Sequence, residues 1–340
     1  SPPVLAAALK AAADNLSGEL GIEVPAPSAA PLPGLDPWRF RLDVDGVPIA
    51  DGAIPAGRVL LRDDAENADL AGVGVTPGEA LPGFPAPLWA EAPDAGRLAA
   101  AGVGFAGPAE VLALTARAAL RRNASQFVGI QETRQMLAGM EAQWGELVRE
   151  VLRVVPLQRL AEVLRRLLDD GIAPRNLRGL LEALVEHGAR EGDAAALAEM
   201  VRAGLRRQIC HAHADANRVI AAFVVDSEAE SVLRQAVRQT PAGTFLALPE
   251  GATAALLERM RAEVAASRAA TPPVVLTALD LRRHLRSLLV NNGVDVAVLT
   301  FQDLAPEFTV QPLGAVRLPP EATARGGGPT SFRAAAEPAE

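Results

Sequence analysis

Cys210, His211 and His213 form the tightest grouping of metal-ligating side chains in the chain. A tetrahedral structural zinc site wants one ligand more than this cluster supplies. Two histidines at the end of a predicted helix are also explained by the negative pole of the helix dipole. Cys210 follows an apolar face made by Leu205 and Ile209, which reads as a small core residue rather than a nucleophile. The acidic pairs Asp63-Asp64 and Asp169-Asp170 are the other candidates for proton chemistry. Neither has a visible apolar setting that would lift one carboxyl into the acid–base range, so both read as solvated turn carboxylates.

Further motifs of bond-making chemistry are missing. There is no GxxxxGK[ST] phosphate loop, no GxGxxG between strand and helix, no GxSxG elbow and no HExxH pair. The predicted helix opening at Pro174 carries a charge pattern instead. Arg175 and Arg178 share a face, which Glu182 and Glu186 continue at four-residue steps. Three readings stand: a surface ion-pair ladder of small energetic weight, an inter-subunit or inter-domain pairing surface, or a DNA recognition helix. The balancing acid and the scarcity of base-reading polar residues disfavour the last.

The elements that must position these residues follow from composition and periodicity. The 340 residues suggest two to three domains. A net charge of −8 disfavours non-specific attraction to nucleic acid or anionic lipid. One cysteine rules out a disulfide framework and a multi-cysteine zinc site within one chain, and fits a reducing compartment. No run of apolar residues is long enough to span a membrane, and no secretory leader is visible. The chain starts at Ser1 rather than Met, so it is expected to be one soluble piece of a longer protein.

Residues 1–128 are acidic, 129–213 are charge-balanced and 214–340 are mildly acidic. An Ala-rich helix over 4–20, a proline-rich connection, and the alternating Trp38–Val44 strand with an Asp45-Gly46 hairpin turn open the chain. Residues 62–107 read as a small loop-rich insert, after which Pro108–Arg122 resumes a helix. The middle is helical: 131–144, 156–169 with a Leu157, Leu160, Val163, Leu164, Leu167, Leu168 stripe, 174–187, and 194–210. These short helices resemble a helix-turn-helix or winged-helix core. The last zone alternates strands at 219–225, 244–248, 274–277, 296–300 and 308–318 with helices at 228–239, 252–267 and 280–290, predicting βαβ units and a mostly parallel sheet. The expected class is therefore a multi-subdomain α/β chain. Its first α/β subdomain covers 1–62 and 108–128 and is interrupted by a small one at 63–107. A helical, winged-helix-like third covers 129–213, a mostly parallel α/β fourth covers 214–318, and residues 319–340 are a flexible tail.

Two stretches carry a family resemblance. One comprises Phe127-Val128-Gly129-Ile130-Gln131-Glu132-Thr133-Arg134-Gln135-Met136-Leu137, Val154-Val155-Pro156-Leu157-Gln158-Arg159-Leu160-Ala161-Glu162-Val163-Leu164, Pro174-Arg175-Asn176-Leu177-Arg178 and Leu181–Glu186. The other comprises Pro272-Pro273-Val274-Val275-Leu276, Leu281-Arg282-Arg283-His284-Leu285-Arg286 and Val298-Leu299-Thr300. Both resemble the cytoplasmic domain of the large export-gate protein of type III secretion systems, its injectisome branch more than its flagellar one. The resemblance spans residues 1–318 and is most specific over 127–300.

It implies no enzymatic activity and no cofactor or metal. It implies a homo-nonameric ring beneath the export channel at the cytoplasmic face of the bacterial inner membrane, with membrane helices outside this piece. The implied partners are chaperone–cargo complexes and the stalk and ATPase components, with no nucleic acid. Most ring contacts would come from the helical subdomain, which places Arg175, Arg178, Glu182 and Glu186 at the interface. The implied chaperone cleft matches Phe84 in Leu81-Pro82-Gly83-Phe84, with Leu81 in place of the family's acid, Glu110 near its threonine, and Trp89 nearby. The alternative from another class is a winged-helix transcription regulator with an α/β sensor domain, resting on the helical zone alone.

Overall fold

The computed structural model describes residues 2–240, 243–267 and 269–318, and the chain divides after Gly204 into two units. The tail expected to be flexible, residues 319–340, lies outside the described residues.

The first unit opens with α1 (Pro2–Leu20), which Gly21 ends in the left-handed conformation at φ +73. Strands β1 (Arg39–Val44) and β2 (Val47–Ala53) form an antiparallel hairpin. Asp45 and Gly46 both take positive φ, the type I′ geometry whose twist matches the flanking strands. Then come β3 (Arg58–Leu61), α2 (Ala65–Leu70), β4 (Val75–Pro77), β5 (Leu88–Glu91), α3 (Ala95–Ala100), β6 (Phe105–Ala106) and α4 (Pro108–Arg122).

The stretch expected as a loop-rich insert thus carries two short helices, and its strands share one antiparallel sheet with β3, ordered β4-β5-β3-β6. Alternation along the strands serves two cores. Val59, Leu61 and Ala90 pack against Ala68 of α2 and Leu98 of α3. Leu60, Trp89 and Ala106 pack on the other side against Ile54, Leu81 and Val111 of α4.

Four helices follow: α5 (Ile130–Val154), α6 (Leu157–Asp169), α7 (Leu177–Gly188) and α8 (Ala194–Gly204). The apolar stripe of α6 is buried at Leu160, Val163, Leu164, Leu167 and Leu168, each worth about 1.5–3 kcal/mol on removal from water. Several boundaries differ from the sequence expectation. The first helix does not stop at Trp144; it kinks there (φ −130, ψ 33), beside Gly145, and runs on to Val154. The third begins at Leu177, because Asn176 is its cap and accepts the Gly179 N–H at 3.1 Å. The fourth breaks at Leu205. Among the described residues of 129–204 there is no strand, so the wing of the winged-helix comparison is missing.

The second unit runs α9 (Arg206–His213), β7 (Val219–Val225), α10 (Ser227–Ala236), β8 (Val237–Thr240), β9 (Gly243–Leu246), α11 (Glu250–Ala266), β10 (Val274–Thr277), α12 (Leu279–Asn291), β11 (Val298–Thr300) and β12 (Thr309–Val316). Its sheet is parallel throughout, ordered β11-β10-β7-β12. The near-continuous apolar run of β7 fits a strand covered on both faces. Phe223, Val225 and Val275 meet Leu233 of α10, Leu256 of α11 and Leu281, Leu285 and Leu289 of α12 in one core. The expected 228–239 helix ends at Ala236. Residues 237–240 instead form a hairpin with β9, antiparallel and outside the parallel sheet. Among the described residues no helix is long and apolar enough to cross a membrane.

Candidate partner-docking site

The four residues of the expected cleft lie on or beside α4, but not as one surface. Leu81 and Phe84 close a tight turn by exchanging two backbone hydrogen bonds of 2.8 Å, with Gly83 at φ +84. Gly83 is required there, since a Cβ would also stand 3.0 Å from the Ala118 Cβ on α4. The turn buries Leu81 beside Trp89, which is only 2% exposed, so both are core residues and offer a partner nothing. Phe84 is half-buried against the same cluster and keeps an accessible edge. Glu110 is exposed, pairs with Arg62 at 3.0 Å, and borders an alanine-floored groove of about 590 Å³ between α1 and α4.

The four charged residues expected at a ring contact separate similarly. Arg178 and Glu182 form a within-helix pair, Nε to Oε1 at 2.8 Å, both half-exposed. The Arg178 guanidinium also lies over the Trp144 ring, 4.2 Å from its centroid. Sequence reasoning missed this stacking; the Trp144-Gly145 step that kinks α5 was the available signal. Arg175 precedes the helix and does not share the Arg178 face. It packs on Gly21, where a Cβ would stand 3.2 Å from its side chain, and no carboxylate among the described residues pairs with it. Glu186 is exposed and reaches His187 only at 4.0 Å.

The residues chosen for possible chemistry serve the fold. Cys210 is fully buried; its thiol donates to the Asp303 carbonyl at 3.2 Å and accepts from the Ala305 N–H at 3.3 Å. Burial pushes that thiol up, away from a reactive thiolate. No cluster of metal-ligating side chains forms among the described residues. The Asp63 carboxyl is held below its usual range by the Asn67 side chain and by the Asp64 and Gly104 N–H groups.

Asp169 and Asp170 separate: Asp169 is exposed, as a turn carboxylate should be, whereas Asp170 is not. Partial desolvation pushes the Asp169 carboxyl up, against a lowering hydrogen bond from Ser125. Asp170 accepts from the buried Arg202 at 3.1 Å. At the carboxyl edge of the parallel sheet the acids are likewise engaged. Asp226 caps α10 through the Ala229 N–H at 2.8 Å. Glu230 accepts from Ala278 N–H at 2.7 Å and Thr277 Oγ1 at 3.2 Å. Asp303 forms a reciprocal cap with Thr300. Each of these three acids is thus tied into a cap or a hydrogen bond of the fold.

The chain is similar to known proteins over most of its length. The FHIPEP family profile matches residues 3–309. A probable translocation protein of Sinorhizobium fredii is 43% identical over 328 residues, which cover 94% of this chain and 45% of that protein. The chain spans about half the length of the curated relatives it matches. CdsV of Chlamydia pneumoniae, solved in complex with CdsO, superposes with a TM-score of 0.83 at 31% identity over 92% of this chain and 91% of that one. A nonameric EscV cytosolic domain from a type III secretion system shares the fold, with a TM-score of 0.71 at 24% identity over 92% of each chain.

Proposed function

The chain belongs to the FHIPEP family, among the injectisome members of the type III export-gate proteins, and on that premise we propose that it works as a non-enzymatic docking ring at the cytoplasmic face of a bacterial inner membrane. Nine copies close around an axis through heterologous faces, and membrane helices belonging to the same protein hold the ring beneath the export channel. Chaperone–cargo complexes and the stalk of the ATPase complex dock on it. Many weak contacts gathered on one ring raise effective concentration, so no single strong site is needed. The observation that carries this reading is the match over 92% of the chain to CdsV, a relative solved together with a second protein, CdsO. Engagement of the acids at the sheet edge in caps supports a scaffold rather than a catalyst.

Within this reading, residues 1–62 with 108–128 form one subdomain, 63–107 a second, 129–213 the ring-building third and 214–318 the fourth. This reading puts Arg175, Arg178, Glu182 and Glu186 at the ring contact; the exposure of Arg175, with no acid paired to it among the described residues, supports it. Phe84 and Glu110 border the chaperone site; Leu81 and Trp89 support it from the interior. The test is the mass distribution of the protein joined to its membrane half, with and without Arg175→Glu plus Arg178→Glu. Nine-subunit particles that the double reversal weakens are expected. Single particles in the unaltered protein would refute the ring; unchanged rings in the variant would remove these two arginines from the contact.

A further inference from the structure

Among the described residues, the hairpin of β1 and β2 is a sheet of two strands with no third. Its hydrogen-bonding register assigns every backbone group to one side. The Ile54 N–H donates to the Trp38 carbonyl at 2.8 Å, and Phe40 and Leu42 pair with Gly52 and Ala50. In an antiparallel ladder the alternate residues then turn their backbone groups away from the partner. On β1 those are Arg39, Arg41 and Asp43. Arg39 N–H is satisfied locally by the Asp36 carbonyl at 2.9 Å, whereas Arg41 and Asp43 have no backbone partner among the described residues.

The two outer edges of the hairpin are not equivalent. Strand β2 has Pro48 opposite Asp43, at a position facing outward, which removes a donor and guards that edge against pairing. Strand β1 contains no proline. At its start the edge opens over an apolar groove of about 780 Å³, walled by Leu5 and Ala6 of α1, Pro31 of the proline-rich connection, Leu112 of α4, and Trp38 and Phe40. Trp38 is 49% exposed at the rim, a large apolar surface that the described residues leave half uncovered.

We propose that the β1 edge and this groove bind an extended peptide segment of another protein by strand addition. The open N–H and C=O groups set the occupant's backbone as extended, since a helix has its own groups already paired. The pleat sets alternation: every second side chain of the added strand falls on the Phe40 side, over the apolar groove, and the others face solvent beside Arg39 and Arg41. Charge favours basic ends. Arg41 is already held by Asp43 at 2.9 Å, and Arg39 lies between Asp51 and Glu79, which leaves Asp45 at the hairpin tip without an ion pair among the described residues.

The probe is a Lys-flanked peptide of alternating valine and threonine, titrated against the whole chain with amide exchange read by mass spectrometry or NMR. Binding should slow exchange at Arg41 and Asp43, and a copy N-methylated at alternate residues should bind about tenfold or more weakly, the worth of one or two backbone hydrogen bonds. Arg41→Pro should impose a similar loss and Trp38→Ser a smaller one. If Arg41→Pro unfolds the protein, the N-methylated peptide still decides the matter on the unaltered chain. No binding up to millimolar peptide, or equal binding of the N-methylated copy, overturns the proposal. So does protection of Arg41 in the free protein that grows with concentration alongside a dimer in sedimentation, because a second copy then owns the edge.

Discussion

Gly188, buried in the last turn of α7, allows a signed prediction about the helical part of the first unit. A methyl added there would stand 2.3 Å from Val155 Cγ2 and 3.5 Å from Val154 Cγ2. Ordinary carbon contacts lie near 3.5–4.0 Å, so Val155 would have to retreat by about 1 Å or more. Val155 is fully buried at the end of α5 and has little room to do so. Overpacking of this kind costs about 1–3 kcal/mol. Alanine regains at most about 1 kcal/mol over glycine through helix propensity, and less at a helix end. Gly188→Ala should therefore destabilise the unit by about 1–2 kcal/mol. The same methyl lies 3.8 Å from Val155 Cβ, an ordinary contact. In a Val155→Ala background the clash vanishes and the methyl fills part of the cavity, which alone costs about 2 kcal/mol. Gly188→Ala should then be neutral or stabilising. Denaturant unfolding followed by tryptophan fluorescence reads this directly, because Trp38, Trp89 and Trp144 all lie in the first unit. Additivity of the two substitutions within about 0.5 kcal/mol would refute the packing argument.

Asp170→Asn should destabilise the first unit by about 3 kcal/mol, or about 6–12 °C in melting temperature, because it strips a carboxylate from the buried Arg202 guanidinium. Arg202→Met together with Asp170→Asn should recover most of that loss in the same melt. In the second unit, the hydrogen bonds from Arg234, at 2.5 and 3.1 Å, hold the Asp280 carboxyl below its usual 3.8. A depressed folded-state pKa gives stability that is present above pH 3.8 and lost as pH falls through the lower folded value. The stability gap between the unaltered protein and Asp280→Asn, followed by calorimetry, should thus be open at neutral pH and close in acid. Gly83→Ala should cost about 1–2 kcal/mol through its positive φ and crowd Ala118; exchange at the Phe84 amide should rise with it.

Local signals were legible where one element satisfies its own pattern. Pro108–Arg122, Val219–Val225 and Val274–Thr277 form at the places their periodicity marks, and the Asp45-Gly46 turn forms because few other dipeptides tolerate two positive φ angles. The Arg178–Glu182 pair was readable because helix geometry alone brings residues four apart together. Residues 237–240 were not: they suit a helix, and become a strand only because Gly243–Leu246 pairs with them. Among the expected docking residues, Leu81 and Trp89 could not be sorted from Phe84, since an apolar side chain carries no mark of whether a core or a partner will cover it.

Family membership and the order of helices and strands were thus already written in residue types and spacings, which act over a few positions along the chain. Other features needed the folded chain. Asp170 meets Arg202 across 32 residues, and Cys210 meets Asp303 across 93. Burial is a sum over neighbours that are distant in sequence, and an edge is open only when nothing else in the fold has reached it. Those sums turn Asp170 from a turn carboxylate into the anchor of a buried guanidinium. They also leave β1, rather than β2, as the strand able to take another.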